Sequence, residues 1–362
     1  MIIKSVDLKN FRNYKDLSIS FDEGTNILYG NNAQGKTNLL EAIYMSGTSK
    51  SYKGSRDKEM IKFDEEEGHI KTVVKKGDRE YRIDIHLRKN KSKGIAINKV
   101  PIKKSSELFG ILDMVFFSPE DLNIIKEGPA FRRKFMDNEL CQLDKIYLND
   151  LKNYYKALDQ RNKLLKDIYA HPDLKDTLEI WDKQLITFGK NVIKRRKAFI
   201  EELRLITKDV HSSLTKGKED LALEYECDST YENLEERVFQ KRDHDIRFAT
   251  TSVGPHRDDI SIKVKDIDMR KFGSQGQQRT CALSLKLAEL KLLENHIHEK
   301  PVLLLDDVLS ELDKERQNDL LESISDIQTI ITCTGLEDFI ENRFEIDKIF
   351  QVVNGKISDY EN

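Results

Sequence analysis

The segment Gly30, Asn31, Asn32, Ala33, Gln34, Gly35, Lys36, Thr37 constrains this chain more than any other. Its spacing is that of a phosphate-binding loop, and each position has a physical task. The two glycines let the backbone curl until successive amide protons converge on an anion. Lys36 then reaches the β- and γ-phosphates of a nucleotide, and the Thr37 hydroxyl faces magnesium. The flanks agree, because Ile27, Leu28 and Tyr29 read as a strand leading in, while Leu39, Leu40 and Ile43 recur at helical spacing behind it. The anion is thereby expected at a helix N-terminus, inside an α/β nucleotide-binding domain.

A second half-site follows far downstream. Val302, Leu303, Leu304 and Leu305 form a short apolar run, expected to be a fully buried strand, and it ends on Asp306 and Asp307. This is a Walker B pattern: Asp306 is placed to hold magnesium, and Asp307, one step further, to polarise the water that attacks the γ-phosphate. Between the two halves lie Phe272, Gly273, Ser274, Gln275, Gly276, Gln277, Gln278 and Arg279, followed by a strongly helical stretch over 280–294. A Ser-x-Gly-Gln start offers a hydroxyl, backbone amides and the positive end of a helix to a phosphate. It resembles the signature motif of ABC-type ATPases, and Ser310, Glu311, Leu312 and Asp313 resemble their D-loop. In that superfamily the signature of one subunit completes the site of the other, so the resemblance implies a dimer with ATP sandwiched between subunits.

At 362 residues the chain exceeds what one undivided core usually holds, so two lobes are expected. Strand patterns open the chain, return over 70–102 with turns at Lys76, Gly77, Asp78 and at Asn90, Lys91, and end at Val115, Phe116, Phe117. Beyond Pro119 long helical patterns take over, roughly 130–168 and 175–215, separated by His171 and Pro172. Strands resume from Leu221. The expected architecture is α/β, an ABC-type P-loop ATPase head with a mixed sheet and helices over 1–118 and 251–362, interrupted by a mainly helical lobe over 119–250.

The four cysteines, Cys141, Cys227, Cys281 and Cys333, lack metal-ligand spacing and point to neither zinc nor a disulfide framework. With no signal-peptide pattern and no membrane-spanning apolar run, a cytoplasmic protein is expected. Sixty-one Lys and Arg against 64 Asp and Glu leave a formal charge of −3, so any attraction to nucleic acid has to be focal. Two basic clusters stand out: one over 71–104, and one comprising Lys190, Lys194, Arg195, Arg196 and Lys197.

Taken in order, several stretches closely resemble the RecF family of bacterial recombination-repair proteins, relatives of the SMC-type DNA-repair ATPases. They are Leu8, Lys9, Asn10, Phe11, Arg12, Asn13, Tyr14; the P-loop; Ser118, Pro119, Glu120, Asp121, Leu122; Arg132, Arg133 and Asp137; the run around Gly254, Pro255, His256, Arg257, Asp258, Asp259; the Ser274 motif; and 306–313. The resemblance covers nearly the whole chain. It implies ATP and magnesium as cofactors and a nucleotide site formed by Arg12, Asn13 and the P-loop of one subunit with Ser274, Gly276 and Gln277 of another, with Lys36, Asp307 and Ser274 as catalytic groups. It also implies an ATP-driven homodimer that clamps single-stranded, gapped or duplex DNA with little sequence preference, a slow DNA-stimulated ATPase, roles in recombinase loading and the SOS response, RecR and RecO as protein partners, and no membrane. Arg257 is expected near the ATP site or the dimer interface.

Three departures from transport ABC proteins are visible. Asp307 stands where they carry a glutamate, and Ile330, Ile331, Thr332, Cys333, Thr334 offers no switch histidine, leaving Thr332 or Thr334 to substitute; Ser118, Pro119 and Glu120 stand where the Q-loop glutamine is expected. About 236 residues between Thr37 and Gly273 are too few for long coiled-coil arms, and neither sustained heptads nor a Cys-x-x-Cys hook appears. The competing reading, the nucleotide-binding subunit of a membrane transporter, predicts a membrane partner and no affinity for DNA. A small-molecule P-loop kinase would leave the Ser274 motif and the D-loop unexplained.

Overall fold

Short apolar runs with both faces covered become parallel strands, and alternating runs become antiparallel ones; this chain uses both. The computed structural model describes residues 1–324, 326–336 and 346–359, and the Glu311 side chain of the expected D-loop lies outside what is described. In chain order the elements begin with β1 (Ile2–Phe11), β2 (Tyr14–Ser20), β3 (Thr25–Tyr29), α1 (Lys36–Thr48), β4 (Glu67–Lys76), β5 (Arg79–Arg88), β6 (Gly94–Ile97), β7 (Val100–Pro101) and β8 (Met114–Phe117). There follow α2 (Asn123–Lys126), α3 (Pro129–Leu143), α4 (Lys145–Asp167), α5 (Leu178–Leu214), β9 (Leu221–Glu226), α6 (Leu234–Gln240), α7 (Arg242–Phe248), β10 (Asp259–Val264), β11 (Ile267–Asp268) and α8 (Met269–Phe272). The chain closes with α9 (Gln275–Ile297), β12 (Val302–Asp306), α10 (Lys314–Ser323), β13 (Thr329–Cys333), β14 (Lys348–Val353) and β15 (Lys356–Asp359).

Two compact units result, Met1–Asp121 with Glu289–Asn362, and Leu122–Ala288. The first holds two six-stranded sheets. One, ordered β2-β1-β4-β5-β6-β7, is antiparallel throughout; the other, β15-β14-β3-β13-β12-β8, is parallel except for β15 at its edge. Every residue of β12 and β13 is buried, as the run 302–306 predicts. Helix α1 lies between the sheets: Leu39, Leu40 and Ile43 share one core with Val6, Leu8, Ile70 and Ile85 of the antiparallel sheet and Leu28, Leu304 and Ile330 of the parallel one. The P-loop therefore emerges at the end of β3, one strand removed from β12, and the two phosphate-site halves are brought side by side by β13 pairing with both.

The second unit is built on the antiparallel pair α4 and α5, with a three-stranded antiparallel sheet β11-β10-β9 of its own. Two features differ from the expected helical pattern. The helix expected over 130–168 breaks at Asp144, whose carboxylate accepts from the Ile146 and Tyr147 amides at 2.7 and 3.0 Å and restarts the helix as an N-cap. The strands from Leu221 onward join this unit's sheet, and the unit extends through the Ser274 motif to Ala288 within α9. Its interior holds two buried guanidinium groups, Arg161 and Arg196, neither with measurable exposure. Arg161 is paired with Asp182 and Asp245, and Arg196 with Asp137 and Asp258. Such pairs are costly to desolvate and costlier to break, so they fix which carboxylates face which helix.

Candidate nucleotide-binding site

The P-loop backbone takes conformations that side chains oppose. Gly30 has φ of 152° and Gly35 of 119°, and a Cβ on either would stand 2.4 Å from the Val352 carbonyl oxygen or 2.6 Å from Asn13 Nδ2. Gly35 precedes α1 in the left-handed region, with no side chain capping the helix, so the first amides of α1 point into the loop. Lys36 folds across the loop, its Nζ donating to the carbonyls of Gly30 at 2.5 Å and Asn31 at 3.0 Å. Burial pulls the Lys36 pKa below the usual lysine value, against the opposing influence of Asp307, Cys333 and Asp306. A buried ammonium at this place gains strongly from a phosphate.

Asp306, 7% exposed, is the hub. Thr37 and Thr332 both donate their hydroxyls to its Oδ1 at 2.8 Å, and the Tyr52 hydroxyl donates to Oδ2 at 3.3 Å. One hydroxyl and one carboxylate oxygen 2.8 Å apart at the mouth of a phosphate cradle suit magnesium, which takes few protein ligands and fills its shell with water and phosphate oxygens. No cluster of three His, Cys, Asp or Glu able to hold a metal by themselves occurs among the described residues. Thr332 is thus engaged with the Asp306 carboxylate and also accepts from the Asp307 amide at 3.0 Å. Asp307 itself sits at φ 55°, a strained conformation for a residue with a side chain.

The turn between β1 and β2 braces the loop from outside. Asn13 Nδ2 donates to the Gln34 carbonyl at 2.8 Å, the Tyr14 hydroxyl to the Gly35 carbonyl at 2.9 Å, and Asn38 Nδ2 to Asn13 Oδ1 at 2.9 Å. The β14-β15 turn adds the Asn354 amide to Gln34 Oε1 at 2.6 Å and the Gly355 amide to the Gln34 carbonyl at 3.0 Å. Arg12 is oriented differently. Its guanidinium grips Glu41 of α1 at 2.8 and 2.9 Å, and also donates to Ser55 Oγ and the Glu59 carbonyl. Glu41, without measurable exposure, receives a further bond from Ser51 at 2.5 Å. Glu41, Tyr52 and Asn38 were not singled out by sequence; the usable signal was a glutamate among the apolar positions of α1, between Leu40 and Ile43.

The remaining candidates fall as follows. Ser310 Oγ donates to the Asp307 carbonyl at 2.8 Å, and Asp313 caps α10 through the Arg316 amide, so the D-loop leads directly from the acidic strand end. Ser118 and Asp121 close a tight turn after β8, with Glu120 exposed. In the second unit, Ser274 and Gln277 form a reciprocal cap: the Ser274 amide donates to Gln277 Oε1 at 3.1 Å and the Gln277 amide to Ser274 Oγ at 3.3 Å. Gly276 has open space where a Cβ would stand, so a ligand or another backbone can approach there. Arg257 is exposed on a turn that Tyr154 secures through His256 Nδ1 at 2.6 Å. Of the basic cluster at 190–197, Lys190, Arg195 and Arg196 are tied to carboxylates within the unit, leaving Lys194 and Lys197.

A parallel sheet carrying a P-loop at the end of β3 and the Asp306 carboxylate at the end of β12, with β13 between them, defines a P-loop ATPase head. The chain belongs to the RecF/RecN/SMC family, whose N-terminal domain matches residues 2–358. It is 62% identical over 357 residues to the DNA replication and repair protein RecF of Agathobacter rectalis, covering 99% of each. The solved structure of the recombination mediator protein RecF-ATP of the RecFOR pathway superimposes with a TM-score of 0.92 at 38% identity, over 99% of this chain and 97% of that one. The Smc head domain from Pyrococcus furiosus, solved with an extended coiled coil and the C-terminal domain of ScpA, shares the fold at a TM-score of 0.58 and 19% identity, over 99% and 96%. Among the described residues, no helix is long and apolar enough to cross a membrane.

Proposed function

We propose that the chain is an ATP-dependent DNA-binding protein of recombinational repair and replication restart, working as an ATP-driven homodimer that clamps DNA at gaps or single-strand/duplex junctions and lets go on slow hydrolysis. The observation that carries this reading is the Lys36, Thr37, Asp306 constellation in a chain whose relatives are DNA replication and repair proteins over their full length. Lys36 and the α1 amides bind the phosphates, Thr37 and Asp306 hold magnesium, Asp307 orients the attacking water, and Ser274, Gly276 and Gln277 contact the nucleotide of the partner copy. Magnesium held by Thr37 and Asp306 would supply neutralisation of the phosphate charge. Asn13 and Tyr14 keep the loop curled, and Arg12 acts through Glu41 on the first helix turns. RecO and RecR are the expected protein partners, with recombinase loading and the SOS response as the setting; DNA contacts are mostly to phosphates and largely indifferent to sequence.

The test is the light-scattering mass of the full chain with and without ATP and magnesium, repeated with a short gapped duplex. The expected result is a mass that doubles only with ATP and then retains DNA. A mass unmoved by ATP together with no DNA retention would defeat the clamp and favour a transporter subunit.

A further inference from the structure

Residues 49–60, between α1 and β4, carry four exposed cations, Lys50, Lys53, Arg56 and Lys58, none of which has a carboxylate partner among the described residues. Only two acids share the segment. Asp57 is already held by Lys93 at 2.8 Å, and the Glu59 carboxylate accepts from the Arg56 amide at 2.9 Å. In a chain of net charge −3, where half of the twelve cations over 71–104 are paired with carboxylates, among them Lys71 with Asp7, Lys76 with Asp113 and Arg82 with Asp84, four unpaired cations within nine residues are a local excess of positive charge.

The backbone bearing these cations is tied to the nucleotide site at several points. Ser51 Oγ donates to Glu41; Arg12 donates to Ser55 Oγ at 2.8 Å and to the Glu59 carbonyl at 2.9 Å; and Tyr52, next to Lys53, donates to Asp306. The Tyr52 ring is seated against Phe116 at 4.1 Å between centroids, and the Lys53 ammonium lies 5.5 Å from the centre of the same ring. Tyr52 therefore bridges the Asp306 carboxylate and the segment that carries the cations. We infer that residues 49–60 form a contact surface for nucleic-acid backbone phosphates, with Lys50, Lys53, Arg56 and Lys58 as the contacting cations, and that Tyr52 is a positioning residue coupling this surface to the Asp306 carboxylate. The inference rests on the DNA-binding reading above and adds to it where the backbone is met and how the nucleotide site governs that meeting.

The test uses the full chain and a fluorescein-labelled gapped duplex, with anisotropy titrations across a salt series, with and without ATP and magnesium. The variant carrying Lys50→Gln, Lys53→Gln, Arg56→Gln and Lys58→Gln should flatten the slope of log K against log salt by about 0.9 for each phosphate that is no longer neutralised, approaching ~3 to 4 if all four cations engage. ATP binding, read with a fluorescent analogue, should be retained. A matched variant with Arg79, Lys99, Lys103 and Lys104 changed to Gln controls for net charge. Tyr52→Phe, assayed at saturating nucleotide, should keep the nucleotide-free DNA affinity and shrink its response to ATP and magnesium. An unchanged slope in the first variant, or an equal flattening in the control, overturns the surface, while an unaltered response in Tyr52→Phe overturns the coupling. Absence of DNA binding by the wild-type chain under every condition would instead refute the DNA-binding reading itself.

Discussion

Arg12 and Glu41 make an asymmetric pair, and removing the two partners should have unequal consequences. Glu41 has no measurable exposure and receives two bonds from Arg12 and one from Ser51, whereas the Arg12 side chain is 21% exposed. Arg12→Met leaves a buried carboxylate with a single hydroxyl donor; removing two charge-assisted bonds and stranding the charge costs about 3–5 kcal/mol. Glu41→Gln removes the charge, keeps one acceptor and leaves Arg12 free to hydrate at the surface, for a cost of about 1–2 kcal/mol. The assay is urea unfolding followed by far-UV circular dichroism, with the fluorescence of Trp181, in the second unit, separating the transitions of a two-unit chain. Because both variants loosen the β1-β2 turn that carries Asn13 and Tyr14, ATP affinity should fall in the same order as stability. An Arg12→Met protein no less stable than Glu41→Gln would refute the reasoning, because it would mean the carboxylate is not isolated from water.

Lys36→Met should abolish ATP-dependent dimerisation, and Asp307→Asn should trap the dimer, both read by light scattering; ATP-driven dimers in Lys36→Met would refute the proposed site. Gly30→Ala places a methyl 2.4 Å from the Val352 carbonyl oxygen at φ 152°, and should lower stability by at least ~1–3 kcal/mol while reducing nucleotide binding, measured by thermal shift with and without ATP. Burial pushes the His256 imidazole down to about 4, against help from the Thr251 carbonyl. Because the unfolded chain then binds more protons, the stability from keeping this ring neutral is complete above roughly pH 6.5 and is lost as pH falls towards 4, by about 3 kcal/mol in total. His256→Gln should therefore lose less stability than wild type between pH 7 and pH 4.5; parallel acid profiles in urea unfolding would count against it.

The local conformation of this protein was legible in its sequence. The glycine-bounded loop between an apolar strand and a helix, and the buried strand ending in Asp306 and Asp307, could both be read there, because those properties depend on neighbours within a few residues. Tertiary structure decided everything that depends on which distant groups share a dielectric environment. It placed Glu41 under Arg12, gave Asp306 three hydroxyls from Thr37, Tyr52 and Thr332, and broke the long helix at Asp144. It also neutralised most of the basic run at 190–197 with Asp137, Asp144, Asp150, Asp258 and Glu235, while leaving the sparser cations of residues 49–60 without carboxylates. A charge in a sequence has a type and a position. Whether it meets a partner or serves as an internal brace is set by the counter-charge that folding brings within about 4 Å of it, and by how much water folding leaves between them.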